Sequence, residues 1–506
     1  MNPRTVALTY LGLHTLALWW FTHAALGDFV FPLDDSYIHL GMARALVEGG
    51  TWGFRPGEFT PASSSPLWTL LLALPWWFRI DLVTAAIVLN GIAVAALISR
   101  ADDWMLRQGS SLLTRTIALL SAIISAPLPA LILTGMEHSL HAWWIWEVLL
   151  LSVAVLTKKR RVAGLVLLCF LGTTIRYESL AVIGALSLIL LWQRRPLPAV
   201  GVGLGGALPI VLHGWVATMR GWPFLPSGMA AKSPLTRGGF PEAIRSTAHS
   251  IIETPIEWPM LTLLGVGALG LVMSPPDRRR QPTMLILYLA AVSGQILVSG
   301  MGRLYRFDAA LVAIGCVLMV ALSDRLQARW RSAAVVSLLL LGIFRTVETH
   351  TIFLQQTRII GRNSLQAARL VRDLDLDVVA CWDIGLISYL TDARIVDMAG
   401  LADRNVMNLI RSGQYSSTTL QQHILQRGAA LAITFPVFLE IEGDGVPPEW
   451  IPVAHLHDPD LDGKGLRLTV YATHTDNAAA VEARLSGKRA DLPENLRLLS
   501  TDLDRK

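Results

Sequence analysis

The sequence predicts an α-helical polytopic membrane protein of about eleven spans, followed by a C-terminal extracytoplasmic α/β domain. Three observations predict it. Hydrophobic residues make up 53% of the chain and charged residues only 16%, where a soluble protein carries about a quarter charged. The apolar residues fall in long runs, several reaching the roughly 20 residues a span needs. Between these runs most of the lysines and arginines gather in short clusters that fall on one side of the membrane.

The run from Val6 to Leu26 is too long for a signal-peptide core and has no A-x-A cleavage site, so it is expected to remain as the first span. Further spans are expected at 82–99, 114–133, 138–156, 162–175, 178–192, 197–219, 258–273, 283–300, 307–323 and 331–349. Arg4, Arg100, Arg107, Arg115, the Lys158 to Arg161 cluster, Arg194, Arg195, Arg278 to Arg280, Arg325, Arg329 and Arg331 then share one side, the cytoplasm. The run Pro66 to Phe78 (PLWTLLLALPWWF) is short, contains Pro75 and ends in Trp-Trp-Phe. Counting it as a span would turn every later basic cluster outward, so it is expected to be re-entrant or to lie in the interface, where tryptophans favour the headgroup level.

The chain divides at the last span, with a membrane domain at 1–349 and an extracytoplasmic domain at 350–506. The tail is more polar. Asp377 to Asp383, Arg394 to Met398, Ala430 to Phe435 and Leu466 to Ala472 pattern as strands and Ile384 to Thr391 as a helix. Such alternation predicts a small α/β domain with a partly parallel sheet, its last dozen residues fraying.

A formal charge of +5 and a pI near 9.2 do not point to nucleic acid. The basic residues serve orientation, and no basic stripe with interleaved aromatics occurs. Cys169, Cys316 and Cys381 have neither metal-ligand spacing nor a disulfide pattern.

The unusual polar residues converge once the topology is set. The loop after the first span carries Asp34, Asp35, Tyr37 and His39 and continues into an amphipathic segment, Leu40 to Glu48, suited to the membrane surface. The later outer turns and loops carry Glu137 and His138, then Arg176 and Glu178, then Lys232, then Arg303 and Arg306. Singly, each has an ordinary explanation as an interface charge, a helix cap or a solvated loop residue. Their common side favours a shared site, because ionisable groups at membrane depth cost several kcal/mol unless paired or solvated. A carboxylate there can act as general base on an acceptor hydroxyl. Guanidinium and ammonium groups can hold a donor phosphate and the charge developing on its leaving group. Two adjacent carboxylates can instead hold a divalent cation such as Mg, Mn or Ca beside that phosphate. His39, His138 and His141 are possible auxiliary ligands, although histidines near span ends are more often structural.

The run Asp34 to Trp68 (DDSYIHLGMARALVEGGTWGFRPGEFTPASSSPLW) resembles the first outer loop of the glycosyltransferase-C superfamily. Within it, the run is most similar to bacterial polyprenyl-phosphate-sugar-dependent transferases of the mycobacterial terminal arabinofuranosyltransferase group. Thr134 to Glu137, Arg176 to Glu178, Ala231-Lys232 and the tail run Trp382 to Asp403 extend the resemblance in order along most of the chain. It implies transfer of a sugar from a polyprenyl-phosphate donor to a glycan, lipid or protein acceptor of the cell envelope, with inversion, at the outer face of a bacterial inner membrane. It implies Asp34 as catalytic base and Asp35 as its support or as a metal ligand. Tyr37, His39, Glu137, His138, Arg176, Glu178, Lys232, Arg303 and Arg306 are the candidate donor- and substrate-binding residues. Tyr177 stands where the family often has Pro, and Pro226 to Met229 replaces a Pro-Asn-Thr-type lead into Ala-Lys. These departures bear on sugar identity more than on reaction class.

Two other classes fit the composition. A transporter or lipid flippase would place broken helices near the bilayer midplane in paired halves, whereas the polar motifs here cluster at one face. A non-catalytic envelope assembly protein would tolerate replacement of Asp34 and Asp35.

Overall fold

The computed structural model describes residues 2–55, 57–158, 162–225, 280–298, 303–323, 328–463, 466–487 and 493–499, together with Pro241 and Arg245. The expected span at 258–273 and Lys232 lie outside the described residues.

Helix α1 (Pro3–Leu26) begins with Pro at its first position, its Asn2 cap accepting from the Arg4 N–H, and it ends on left-handed Gly27. Leu13, Leu16, Trp20 and Phe21 remain more than half exposed along it, a lipid-facing side. Helix α2 (Asp34–Gly49) and helix α3 (Pro66–Trp77) fill the stretch between α1 and the next long helix, before α4 (Leu82–Arg107), α5 (Leu112–Ser125) and α6 (Leu128–Ile132). Next come α7 (His138–Lys158), α8 (Ala163–Ile175), α9 (Ser179–Trp192), α10 (Pro196–Met219), α11 (Arg280–Val298), α12 (Ala309–Ser323) and α13 (Ala328–Arg362). Leu82–Arg107, His138–Thr157 and Pro196–Met219 are long and apolar enough to cross a membrane, by length and composition.

The run expected as one span at 114–133 is two helices, α5 and α6. Pro127 and Pro129 interrupt it, because neither ring nitrogen can donate and the residue before a proline is steered out of the helical region. Helix α3 has 12 residues, about 18 Å at 1.5 Å per residue, too short for a 30 Å hydrocarbon core. Both its ends touch α2. Thr69 Oγ1 lies 3.2 Å from His39 Nδ1, and Trp76 Nε1 donates to Glu48 Oε1 at 3.2 Å. It therefore runs alongside α2.

Helix α13 is continuous through position 350 and leads, after Asn363, into α14 (Ser364–Asp373) and the tail domain. That domain has a six-stranded sheet in the order β2-β1-β3-β5-β4-β6. Its strands are β1 (Val378–Cys381), β2 (Arg394–Asp397), β3 (Leu431–Thr434), β4 (Ile451–Leu456), β5 (Leu468–Ala472) and β6 (Leu496–Leu498). β1 pairs in parallel with β2 and β3, and the remaining pairs are antiparallel. A short helix, α15 (Gly385–Leu390), crosses from β1 towards β2. Strands β4 and β6 were not expected. Pro452 disguises β4 and is accommodated where the register shifts between Pro452 and Ala454. β6 lies in the stretch expected to fray, but it is held on β4 through pairs such as Ala454 with Leu498.

The α2–α3 segment and the tail share one hydrophobic core. Leu40, Met42 and Leu72 from α2 and α3 cluster with Val379, Leu386 and Ile433 of the tail. Each fully buried side chain of this size contributes about 1.5–3 kcal/mol, so this shared core anchors α15 over the start of α2.

Candidate active site

Asp34 and Asp35 occupy the first turn of α2, where the helix macrodipole favours negative charge. Helix α15 approaches them from the tail domain. The Gly385 N–H donates to Asp34 Oδ2 at 2.6 Å and the Leu386 N–H to Oδ1 at 3.0 Å. A Cβ on Gly385 would overlap the Asp34 carbonyl and stand 2.8 Å from Oδ2, so the approach requires glycine. Burial first, and the facing Asp383 carboxylate second, push the Asp34 carboxyl up to about 8, against the two N–H donors that favour its charged form. Asp34, Asp35, Trp382, Asp383, Ile410 and Glu442 are among the residues lining a cavity of about 120 Å³ between the two parts of the chain.

Asp35 pairs with Arg306, Oδ2 to Nη2, at 3.0 Å. Arg306 follows a 3-10 turn, Arg303–Tyr305, in which Leu304 and Tyr305 are held at φ 64° and 53°, a left-handed conformation costly for side-chain-bearing residues. Arg176 bridges two carboxylates, donating to Glu137 Oε1 and, at 2.6 Å, to Glu178 Oε1. Its planar fork suits this two-sided contact. His39 completes the group, with Nε2 3.7 Å from Glu137 Oε2 and Nδ1 near Thr69 and Ser63. Burial lowers the His39 pKa, the Glu137 charge opposing this only in part.

Phe307 joins the two ion-pair groups. The guanidinium carbons of Arg176 and Arg306 each lie 4.9 Å from its ring centroid, and the His138 ring centroid is 5.4 Å away. Arg306 Nε, Glu137 Oε2 and His138 Nε2 are buried without a hydrogen-bond partner. Buried polar atoms of this kind are costly in a finished core and common where a substrate binds.

The remaining candidates are placed as follows. Tyr37 is buried, its hydroxyl accepting from the Phe31 N–H at 3.0 Å, which shapes the loop entering α2. His141 lies 3.1 Å from Ser179 Oγ and stacks on Trp144. The backbone of Arg303 forms part of the 3-10 turn. Asp383, Gly385 and Phe307 were not singled out by the sequence reading. The first two lie within the tail run that resembles the family, and Phe307 adjoins Arg306.

A divalent cation needs several open oxygens. Both Asp34 oxygens take backbone N–H groups, and Asp35 is already matched to Arg306. Among the described residues no group of three or more His, Cys, Asp or Glu side chains could hold a metal ion. As arranged, this pair is not a ready-made cation site, and no step below is routed through a cation.

ArnT from Cupriavidus metallidurans bound to undecaprenyl phosphate is similar to this chain at a TM-score of 0.54 and 13% identity, over 93% of this chain and 98% of that one. The chain shares the fold of that structure. The Archaeoglobus fulgidus oligosaccharyltransferase tethered with an acceptor peptide is matched at a TM-score of 0.49 and 10% identity, over 98% of this chain and 75% of that one. A family model described as "Domain of unknown function (DUF8728)" matches residues 351–477, which take in most of the tail domain. Comparison with curated proteins gives no match.

Proposed function

We propose that this protein is a membrane glycosyltransferase that moves a sugar from a polyprenyl-phosphate donor to an acceptor hydroxyl of an extracytoplasmic glycan, lipid or protein. The observation that carries the proposal is the bracketing of Phe307 by Arg176 and Arg306, with Arg306 Nε lacking a protein acceptor, beside the Asp34-Asp35 pair. The likeness in fold to ArnT, whose structure holds undecaprenyl phosphate, supports this class of donor.

In this reaction the Asp34 carboxylate takes the proton of the acceptor hydroxyl while that oxygen attacks the anomeric carbon. The bond from the anomeric carbon to the phosphate oxygen breaks, and the lipid phosphate leaves with its electron pair. Arg306 and Arg176 stabilise the charge that develops on it, Arg306 exchanging part of its contact with Asp35 for the phosphate. The two N–H donors from α15 hold the base in one orientation, which limits the reorganisation needed at the transition state. Attack from the face opposite the leaving phosphate inverts the anomeric centre. Lys232 is assigned to the donor phosphate by the family motif.

In the same reading eleven apolar segments cross a bacterial inner membrane. The site and the tail domain face outward, with the functional division near 350. The outer-loop motifs favour a donor class like that of the arabinofuranosyltransferase group.

The test is transfer of labelled sugar from polyprenyl-phosphate donors in membranes. Wild type is expected to transfer and Asp34→Asn, inserted at equal level, to lose at least about 100-fold, the lower range of a general-base contribution. Equal transfer by both would remove Asp34 from the mechanism.

A further inference from the structure

Behind the turn that carries Arg306 lies an ion pair buried in the helix bundle. Arg345 of α13 and Asp308, just before α12, are each about 1% exposed, and Arg345 Nη2 meets Asp308 Oδ2 at 2.8 Å. Arg345 Nε donates to the Ser125 carbonyl at 2.8 Å. That carbonyl is the last of α5, released by the proline break before α6. The Arg345 guanidinium also lies 4.1 Å from the centroid of the Tyr305 ring, whose hydroxyl donates to Glu348 one turn further along α13. Thr346 Oγ1 donates to the Ile124 carbonyl at 2.6 Å, and a Cβ on Gly342 would stand 2.5 Å from Ser125 Oγ, so α13 is seated tightly against the break.

A charged pair inside an apolar bundle is expensive, and apolar side chains of similar volume often stabilise as well or better. Packing alone does not account for it. What the pair does is geometric. It grips the turn at Tyr305 and at Asp308, on either side of Arg306 and Phe307, and holds Leu304 and Tyr305 in their left-handed conformation. We propose that Arg345 and Asp308 are positioning residues that hold Arg306 against Asp35 and Phe307 between Arg306 and Arg176, resting on the transferase reading given above. The broken helix is part of the device, because only a break frees the Ser125 carbonyl for Arg345.

The test uses the double variant Arg345→Met/Asp308→Asn, which removes both charges together and leaves no unpaired ion in the bundle. In full-length protein with cysteines at Asp35 and Arg306, a short bis-maleimide reports the separation of these positions without any need for activity. Cross-linking is expected to fall several-fold in the double-variant background, at unchanged membrane insertion. In the activity assay the double variant is expected to raise the donor KM about 10-fold with a smaller change in kcat. In an Arg306→Gln background it is expected to add nothing, because its effect passes through Arg306. Unchanged cross-linking, or full additivity with Arg306→Gln, would overturn the proposal. If wild type transfers from no polyprenyl-phosphate donor, the transferase reading fails, while the cross-linking result still decides whether the pair sets the turn.

Discussion

At the scale of single residues, Asp34 shows how position and environment set a chemical role. Its carboxyl is held by two N–H donors but raised to about 8 by burial and Asp383. A general base works ionised, so transfer is expected to climb about tenfold per pH unit below 8 and to level off above it. A rate independent of pH from 6 to 9 in wild type would sink this assignment. The same shift has a stability consequence. A carboxyl raised in the folded state favours folding fully below its ordinary 3.8, and that contribution is lost as the pH rises through about 8. Asp34→Asn is therefore expected to flatten the fall of thermal stability between pH 5 and 9, measured on detergent-solubilised protein. Gly385→Ala probes the cradle itself. Its Cβ would overlap the Asp34 carbonyl, so transfer is expected to drop at least tenfold, with an overpacking cost of about 1–3 kcal/mol. A fully active Gly385→Ala would show that the close approach of α15 is not needed.

Among elements, α3 and the broken pair α5 and α6 depart from simple membrane crossings, and both departures were written in prolines. The short run ending in Trp76-Trp77-Phe78 could be read as non-crossing because a crossing would invert every later basic cluster. The break at Pro127 was not read, since a proline inside an apolar run is as often a kink as an end. In the proposed topology both ends of α3 face outward. Single cysteines at Gly57 and Ile80 are expected to react alike with a membrane-impermeant maleimide added from outside. Labelling of the first alone would make α3 a true span and reverse the topology after it. In the tail, the expected positions of β1, β2, β3, β5 and α15 agree with the structure to within a few residues. β4 was hidden by Pro452, and β6 because a strand about 40 residues earlier, not local propensity, holds it.

For the whole molecule, the tail domain acts as one wall of the site. Besides the shared core, Arg44 of α2 donates to the Tyr389 carbonyl at 2.6 Å and pairs with Asp392, while Arg404 donates to the Arg220 carbonyl at 3.2 Å. Arg44→Ala is expected to loosen α15 over Asp34, lowering transfer a few-fold and speeding protease cleavage near 390. Unchanged cleavage and activity would show that Arg44 does not hold α15 in place. The sequence alone determined the membrane class, the gathering of Asp34, Asp35, Glu137, Arg176 and Arg306 into one group, and the α/β character of the tail. These follow from hydropathy, the basic clusters and alternation, which are properties of neighbouring residues. Only the tertiary structure decided that backbone N–H groups of the tail domain hold Asp34, that Phe307 links Arg176 to Arg306, and that Arg345 finds Asp308 and the Ser125 carbonyl. Those contacts join residues tens to hundreds of positions apart, and burial, which gives each its energetic weight, exists only once the helices have packed.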